Sequence, residues 1–155
     1  MKFNLLAVFF IFFTYQTEVF AELERCEASD TSKWTNCFGP AIFDGDTYVG
    51  SFKNGVPHGK GTYTYSDGAT YVGGFLNGKE SGEGVFNCWV HGATYVGSFK
   101  NGKKHGFGVY NYPNGDLYEG YWRDGKKNGE GAYTYKDGKI NLGVFKDDKF
   151  VKESE

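Results

Sequence analysis

Three histidines are the residues of this 155-residue chain most suited to binding a metal ion. His58 and His105 occupy corresponding positions of two similar segments that lie two repeats apart. If each repeat contributes two strands, four strand spacings separate these histidines by roughly 19 Å, whereas zinc ligands lie about 2 Å from the ion. His91 stands alone near an irregular turn. The sequence therefore predicts no metal site and no cofactor.

Recurring aspartates are the candidates for a catalytic carboxylate pair. Asp67, Asp116 and Asp137 recur in the turns before successive repeats, where Asp commonly bonds its own backbone. The Gly-x-Gly pairs, such as Gly59 and Gly61, precede predicted strands, whereas a phosphate-binding loop opens a helix. The sequence offers no nucleophile with a base to activate it. These observations predict that the protein is not an enzyme.

The three cysteines indicate one disulfide and one remaining thiol in an exported chain. Cys37 and Cys88 fall on corresponding strands two repeats apart, which is again roughly 19 Å. A disulfide needs Cα atoms within about 7 Å of each other. The predicted bond is therefore Cys26–Cys37, which would fix the N-terminal residues over the first strand. Cys88 is predicted to be a buried free thiol, and a reactive or intermolecular thiol is the alternative.

One unit of sequence recurs four times and organises the rest of the chain. It first runs from Tyr48 to Gly61, and it starts again at Tyr71, Tyr95 and Tyr118, at intervals of 23, 24 and 23 residues. A fixed period of this length is the signature of a repeat protein. Six anchor residues keep their offsets in every unit. They are Tyr48, Gly50, Phe52, Gly55, Gly59, Gly61, Tyr71, Gly73, Phe75, Gly78, Gly82, Gly84, Tyr95, Gly97, Phe99, Gly102, Gly106, Gly108, Tyr118, Gly120, Trp122, Gly125, Gly129 and Gly131.

The unit resembles the MORN (membrane occupation and recognition nexus) repeat, which reads roughly Tyr-Glu-Gly-Glu-Trp-x-x-Gly-Lys-x-x-Gly-x-Gly. The resemblance covers about residues 36–148. It implies a non-catalytic module that mediates protein association or, as proposed for such repeats, contacts anionic lipid head groups. The chain departs from the pattern at Val49, Val72 and Val96, where Glu is expected, and Glu119 retains it in unit four. This departure makes the outer face more apolar and favours a protein partner or self-association.

Each unit is predicted to form a β-hairpin. In unit one, residues 47–52 alternate with period two, as a strand does. Residues 53–60 form a loop around the turn dipeptide Asn54-Gly55, and residues 61–65 form the second strand. Successive hairpins with short connections lie beside one another. The predicted fold class is therefore all-β: a single-layer, twisted, elongated antiparallel meander of about ten strands, roughly 45–50 Å long.

Glycine and aromatic residues recur together because a single sheet has no second layer to cover its apolar face. Glycines on that face leave slots in which aromatic rings can lie, and each ring buries about 150 Å² or more. The predicted slots are at Gly50, Gly61, Gly73 and Gly84, and the predicted rings are those of Tyr48, Phe52, Tyr63 and Tyr71.

Four sections are predicted along the chain. They are a signal peptide (1–21), a polar lead-in (22–35), the repeat ribbon with half-units at each end (36–149) and a tail (150–155). Lys2, an apolar run over residues 5–13 and small residues near Ala21 are typical of a secretory signal peptide. The apolar run is shorter than the roughly 20 residues that span a bilayer. We therefore predict export, secreted or periplasmic, after cleavage near Ala21, with an uncleaved membrane anchor as the alternative.

The net charge of −2 argues against nucleic-acid binding, which usually accompanies a strong basic excess. Basic residues nevertheless fall in the hairpin loops and acidic ones in the turns between hairpins. Candidate contacts with an anionic surface are Lys103, Lys104, Lys126 and Lys127. The leading hypothesis is a binding and scaffold module that mediates protein association outside the cytoplasm, with an unidentified protein partner or by self-association. The alternatives are an anionic lipid or a cell-surface glycan, and these lysines could equally be ordinary solvated turn residues.

Overall fold

A computed structural model of the chain describes residues 23–27 and 30–153. These residues form one open twelve-stranded sheet in which the strands lie in the order of the sequence. The strands are β1 (Glu24–Arg25), β2 (Cys37–Phe43), β3 (Asp46–Lys53), β4 (Val56–Thr64), β5 (Thr70–Leu76), β6 (Lys79–Cys88), β7 (Ala93–Lys100), β8 (Lys103–Asn111), β9 (Leu117–Arg123), β10 (Lys126–Thr134), β11 (Ile140–Lys146) and β12 (Lys149–Glu153). The predicted all-β meander in a single layer is confirmed.

The N-terminal residues contribute more structure than the predicted polar lead-in. β1 pairs with β2 in parallel, Glu24 opposite Cys37, and a 3₁₀ turn at Thr31–Lys33 follows. The predicted Cys26–Cys37 pairing is confirmed, with an S–S distance of 2.09 Å. The bridge joins these residues to the first long strand, which explains how a two-residue strand is held in place. The sheet therefore has twelve strands rather than about ten.

The turns inside the hairpins are tighter than the predicted loop over residues 53–60. Asn54 and Gly55 both have positive φ, 52° and 77°, as in a two-residue I′ turn. β4 consequently begins already at Val56. Gly59 has a φ of 86° close to a register shift between β3 and β4, so a bulge allows the strand to continue where a loop was predicted.

The predicted glycine slots exist, and the first tyrosine of each unit fills them. Gly50 and Gly61 pair across β3 and β4, and the ring of Tyr48 lies over both. A Cβ added to Gly50 or to Gly61 would come within 2.4 Å of that ring or its hydroxyl, and Tyr48 is 0% exposed. The prediction was wrong in placing Phe52 and Tyr63 in slots. Phe52 instead stands edge-on to Tyr48, with ring centroids 5.1 Å apart.

Ring contacts continue from each repeat into the next and form the core. Tyr48 contacts Phe52 of its own unit and Phe75 of the next unit, with centroids 4.9 Å apart in the second pair. Tyr71 contacts Phe99 in the same way at 4.8 Å. Such edge-to-face pairs add about 0.5–1.5 kcal/mol each beyond the area they bury. Each unit is therefore stabilised by its neighbours as well as by its own rings, as in other repeat proteins.

Both ends of this core are covered. The Trp34 ring packs on Phe52 with centroids 4.8 Å apart at the N-terminal end. At the C-terminal end, Asp147 and Asp148 form the last hairpin turn, and β12 runs to Glu153. The predicted boundary at residue 149 was therefore too early. The reason is that Phe150 packs on Phe145, with centroids 5.2 Å apart.

The predicted signal peptide lies outside the described residues. Within residues 23–27 and 30–153, no helix is long and apolar enough to cross a membrane. The Cys26–Cys37 bridge fits an oxidising setting.

Candidate binding faces of the sheet

The two faces of the sheet differ in every unit because side chains alternate along a strand. We call the face that carries Tyr48, Tyr71, Tyr95 and Tyr118 the aromatic face, and the opposite face the valine face. Tyr95 on the aromatic face is 0% exposed, whereas Val96, the next residue, is 49% exposed. The side chains of the valine face are therefore accessible to a partner, whereas the first tyrosines of the aromatic face are not.

The valine face carries a continuous row of mostly apolar side chains that crosses ten strands. Each residue of the row is paired with the next across neighbouring strands. The row is Pro40, Val49, Thr62, Val72, Val85, Val96, Val109, Glu119, Ala132 and Leu142. The sequence reasoning identified Val49, Val72 and Val96 but missed Val85 and Val109. Period-two alternation along the second strands of units two and three was the available signal.

A second row runs beside the first on the valine face and is mostly small and polar. It consists of Ile42, Thr47, Thr64, Thr70, Asn87, Thr94, Asn111, Leu117, Thr134 and Ile140. The Asn111 side chain donates a hydrogen bond to the Thr94 hydroxyl across the strands, at 2.9 Å. These two rows carry a single charged side chain, Glu119. The two rows are therefore uncharged through units one to three, and charged side chains such as Lys60 and Glu83 lie beside them on the same face.

The four candidate lysines divide between the two faces. Lys103 and Lys126 are exposed. The Lys104 ammonium lies on the aromatic face, 4.1 Å from the ring centroids of both Tyr110 and Trp122. Lys127 lies in the same way, 4.6 Å from the Tyr133 ring. The structure thus places two of the four lysines where an anionic surface could reach them directly, and encloses the other two among aromatic rings.

Burial governs the protonation of Lys104. It lowers the Lys104 pKa to about 8; Asp148 opposes this shift, and the positive charge of Lys127 adds to it. Burial also lowers the Lys127 pKa, again opposed by Asp148. The negative faces of the surrounding rings attract the ammonium groups, which explains why cations are tolerated in this semi-buried position.

The position of these lysines carries three different residue types over the four units. It is Pro57 in unit one, Glu80 in unit two, Lys104 in unit three and Lys127 in unit four, each two residues after the turn glycine. Glu80 accepts a short hydrogen bond from the Tyr65 hydroxyl. Burial is the main cause that raises the Tyr65 pKa, and Glu80 adds to it. Glu80 and Lys104 both line one cavity of about 310 Å³ on the aromatic face.

Cys88 lies beside one of the three histidines. Cys88 is a free thiol, and it is half-buried rather than buried as predicted. The extra residue of unit two lies in the turn that follows it, which leaves its sulfur 3.1 Å from the His91 Nδ1. In the part of the chain that the structure describes, no three potential ligands are grouped to hold a metal ion.

The predicted turn chemistry of the aspartates holds for two of the three. Asp67 and Asp137 accept hydrogen bonds from the backbone N–H two residues later, at 2.9 Å in both cases. Asp116 differs because it corresponds in the repeat to Asp46. Its carboxylate accepts from the Tyr133 hydroxyl at 2.7 Å and from a backbone N–H twenty residues later. Asp116 therefore ties two successive turns together.

The MORN repeat model matches residues 48–70, 71–88, 95–117 and 118–140, which together make up more than half of the chain. Each matched segment begins at a tyrosine whose ring fills a pair of glycine slots, namely Tyr48, Tyr71, Tyr95 and Tyr118. No curated protein matches the chain. On the matched repeats, whose anchors form the core described above, the chain belongs to the MORN repeat family.

Proposed function

We propose that the protein is a non-catalytic scaffold that associates with a protein partner, or with a second copy of itself, through the valine face and outside the cytoplasm. MORN repeats support a repeat-based binding or scaffold role. The observation that carries the finer proposal is the row that contains the valines, which has no charged side chain through units one to three and in which Val96 is 49% exposed. Continuous exposed apolar patches with polar residues beside them are typical of protein interaction surfaces.

The valine face is large enough for a stable protein interface. Ten strands spaced about 4.8 Å apart, each about seven residues long at 3.3 Å per residue, cover roughly 1,000 Å². A standard interface buries about 800 Å² on each partner. The polar row beside the valines offers hydrogen-bonding groups such as the Thr94 and Asn111 side chains, which suit the polar margin of such a contact.

A pair of charge substitutions tests this proposal. In the variant Val72→Lys/Val96→Lys, two ammonium groups enter the centre of the valine face. We expect crosslinking capture from the native compartment, or concentration-dependent self-association in sedimentation equilibrium, to be lost while the circular dichroism spectrum stays unchanged. The matched control is Val90→Lys, because Val90 is 72% exposed in the turn after β6, away from both rows. Equal association of the parent and the double variant would contradict the proposal.

An anionic lipid is the competing function, and Lys103 and Lys126 are the two candidate lysines to test because their side chains are exposed. Each exposed lysine near an anionic membrane contributes on the order of 1 kcal/mol. If lipid binding is the function, vesicle sedimentation at low salt should recover the parent, and the variant Lys103→Gln/Lys126→Gln should remain in the supernatant. Failure of the parent to sediment would remove this alternative.

A further inference from the structure

The repeats provide an internal comparison for the cavity beside Glu80. In unit three, the Lys104 ammonium is surrounded by the rings of Tyr95, Tyr110 and Trp122 at 5.6, 4.1 and 4.1 Å. In unit four, Lys127 repeats this arrangement with the equivalent rings. We call this set of three rings, two from the unit itself and one from the next unit, the aromatic box.

Unit two has the same aromatic box without the lysine. Phe86 takes the register of Tyr110, because each pairs with the first tyrosine of its unit. Phe99 takes the register of Trp122, because each pairs with the glycine at the bulge. Phe99 packs edge-on against Tyr71 with centroids 4.8 Å apart. The position of the lysine is occupied by Glu80, an acid beside rings that elsewhere surround a cation.

We infer that the aromatic box of unit two, with the Glu80 carboxylate, is a binding site for an alkylammonium group. Glu80 and two of the three rings, Phe86 and Phe99, line the cavity of about 310 Å³, which has room for a butylammonium-sized group. Lys103 and Lys104 line the same cavity. One Glu80 oxygen is engaged by the Tyr65 hydroxyl. The other lies beside Gly102, a further residue of the cavity lining. A carboxylate and ring faces attract the same partner, a cation with an apolar stem.

A cation in this box is compatible with the neighbouring charge. Lys104 and Lys127 already place ammonium groups in two successive boxes, although the positive charge of Lys127 lowers the Lys104 pKa. An ammonium group in the box of unit two would lie one box away from Lys104, just as Lys104 lies one box away from Lys127. The Glu80 carboxylate would attract it in addition. The site lies on the aromatic face, so it does not depend on whether the valine face binds a protein.

Butylammonium chloride is the probe, titrated at constant ionic strength into ¹⁵N-labelled protein. We expect saturable amide shifts centred on Gly102 and Glu80, and none with butanol, the neutral analogue. Glu80→Gln should weaken binding about tenfold or more, since it removes a charge-assisted contact. Glu80→Lys should abolish it while the thermal midpoint is kept, because the new side chain fills the box as Lys104 does. Glu83→Gln is the matched control, since this exposed side chain lies on the valine face.

Three results would overturn the inference: unchanged butylammonium binding by Glu80→Gln, equal binding of butanol and butylammonium, or tighter binding of butyrate than of butylammonium. The last result would mean that the ligand pairs with Lys104 rather than with Glu80.

A second titration distinguishes two sources of the ammonium group. It uses a short peptide that contains one lysine, together with the lysine-acetylated form of that peptide. Tighter binding of the lysine peptide than of butylammonium identifies a partner's lysine as the ligand. Equal binding identifies a free amine, and no binding of either overturns the inference.

Discussion

The aromatic face and the valine face are built by the same strands, yet the buried core lies on only one of them. Tyr95 and Gly97 point to the aromatic face, where the tyrosine ring lies over the glycine and its cross-strand partner Gly108. Val96, between them, is half exposed. A single sheet can form its core within one layer when glycines make room for rings. The opposite face is then left accessible for contacts with a partner.

Gly97→Val should produce the largest loss of stability. A Cβ at this position would lie 2.5 Å from the Gly108 Cα and 2.8 Å from the Tyr95 hydroxyl, so the ring must leave its slot. We expect the free energy of unfolding to fall by about 3 kcal/mol or more, measured by urea denaturation. The control is Val96→Thr on the valine face, with an expected change within about 0.5 kcal/mol. Equal midpoints for the parent and Gly97→Val would show that the rings are not held by the glycine slots.

Loss of the disulfide should have the next largest effect, because it loosens the N-terminal end of the aromatic face. The bridge closes a loop of 11 residues, and Cys26→Ser/Cys37→Ser should cost about 2–3 kcal/mol. Cys88→Ser is the control, and it should change the free energy of unfolding far less, since Cys88 forms no bridge. Peptide mass mapping that found Cys88 bonded to either partner would contradict the register of the repeats.

Lys104 should make stability depend on pH in a way that Lys103 does not. Burial lowers the Lys104 pKa to about 8 in the folded protein, whereas in the unfolded chain it returns to its ordinary value near 10.5. Between these two pH values Lys104 holds its proton in the unfolded chain but loses it in the folded one. The free energy of unfolding therefore rises with pH over this interval. Relative to Lys104→Met, the parent should gain about 1–2 kcal/mol between pH 7 and 9.5.

The window for this measurement ends near pH 9.5 because tyrosines ionise in the unfolded state above it. Lys103→Met is the matched control, because the neighbouring lysine is exposed. The difference between the parent and this control should stay constant across the same pH range. A constant difference for Lys104→Met as well would mean that the aromatic box does not disfavour the ammonium.

Tyr95→Phe should have the smallest effect of the series. The Tyr95 hydroxyl donates to the Ser98 carbonyl at 3.0 Å, and loss of such a bond costs about 0.5–1.5 kcal/mol. Tyr121→Phe is the comparison on the valine face, where the ring is 50% exposed, and it should be close to neutral. If the two substitutions cost the same, the hydroxyl in the slot contributes nothing beyond the ring itself.

Local features of the sequence predicted much of the fold. Asn54-Gly55 predicted a hairpin turn because few other dipeptides adopt two positive φ angles. The lengths of the strands were harder to predict, since Gly59 looked like part of a loop. The positive φ of Gly59 belongs to a bulge, and a bulge is defined only by the pairing of β4 with β3. The parallel β1 was missed for a similar reason, because two residues have no periodicity and are held by the bridge.

The sequence by itself determined the repeat, the alternation of two faces and the pairing of each first tyrosine with its glycines, because these depend on residues a fixed distance apart along the chain. Only the tertiary structure decided the surroundings of Glu80, Lys104 and Lys127. Each aromatic box combines rings from two strands of one unit with a ring from the next unit. Such a site forms only when strands of two successive units pair in the correct register. It therefore could not be predicted from the sequence of one unit alone.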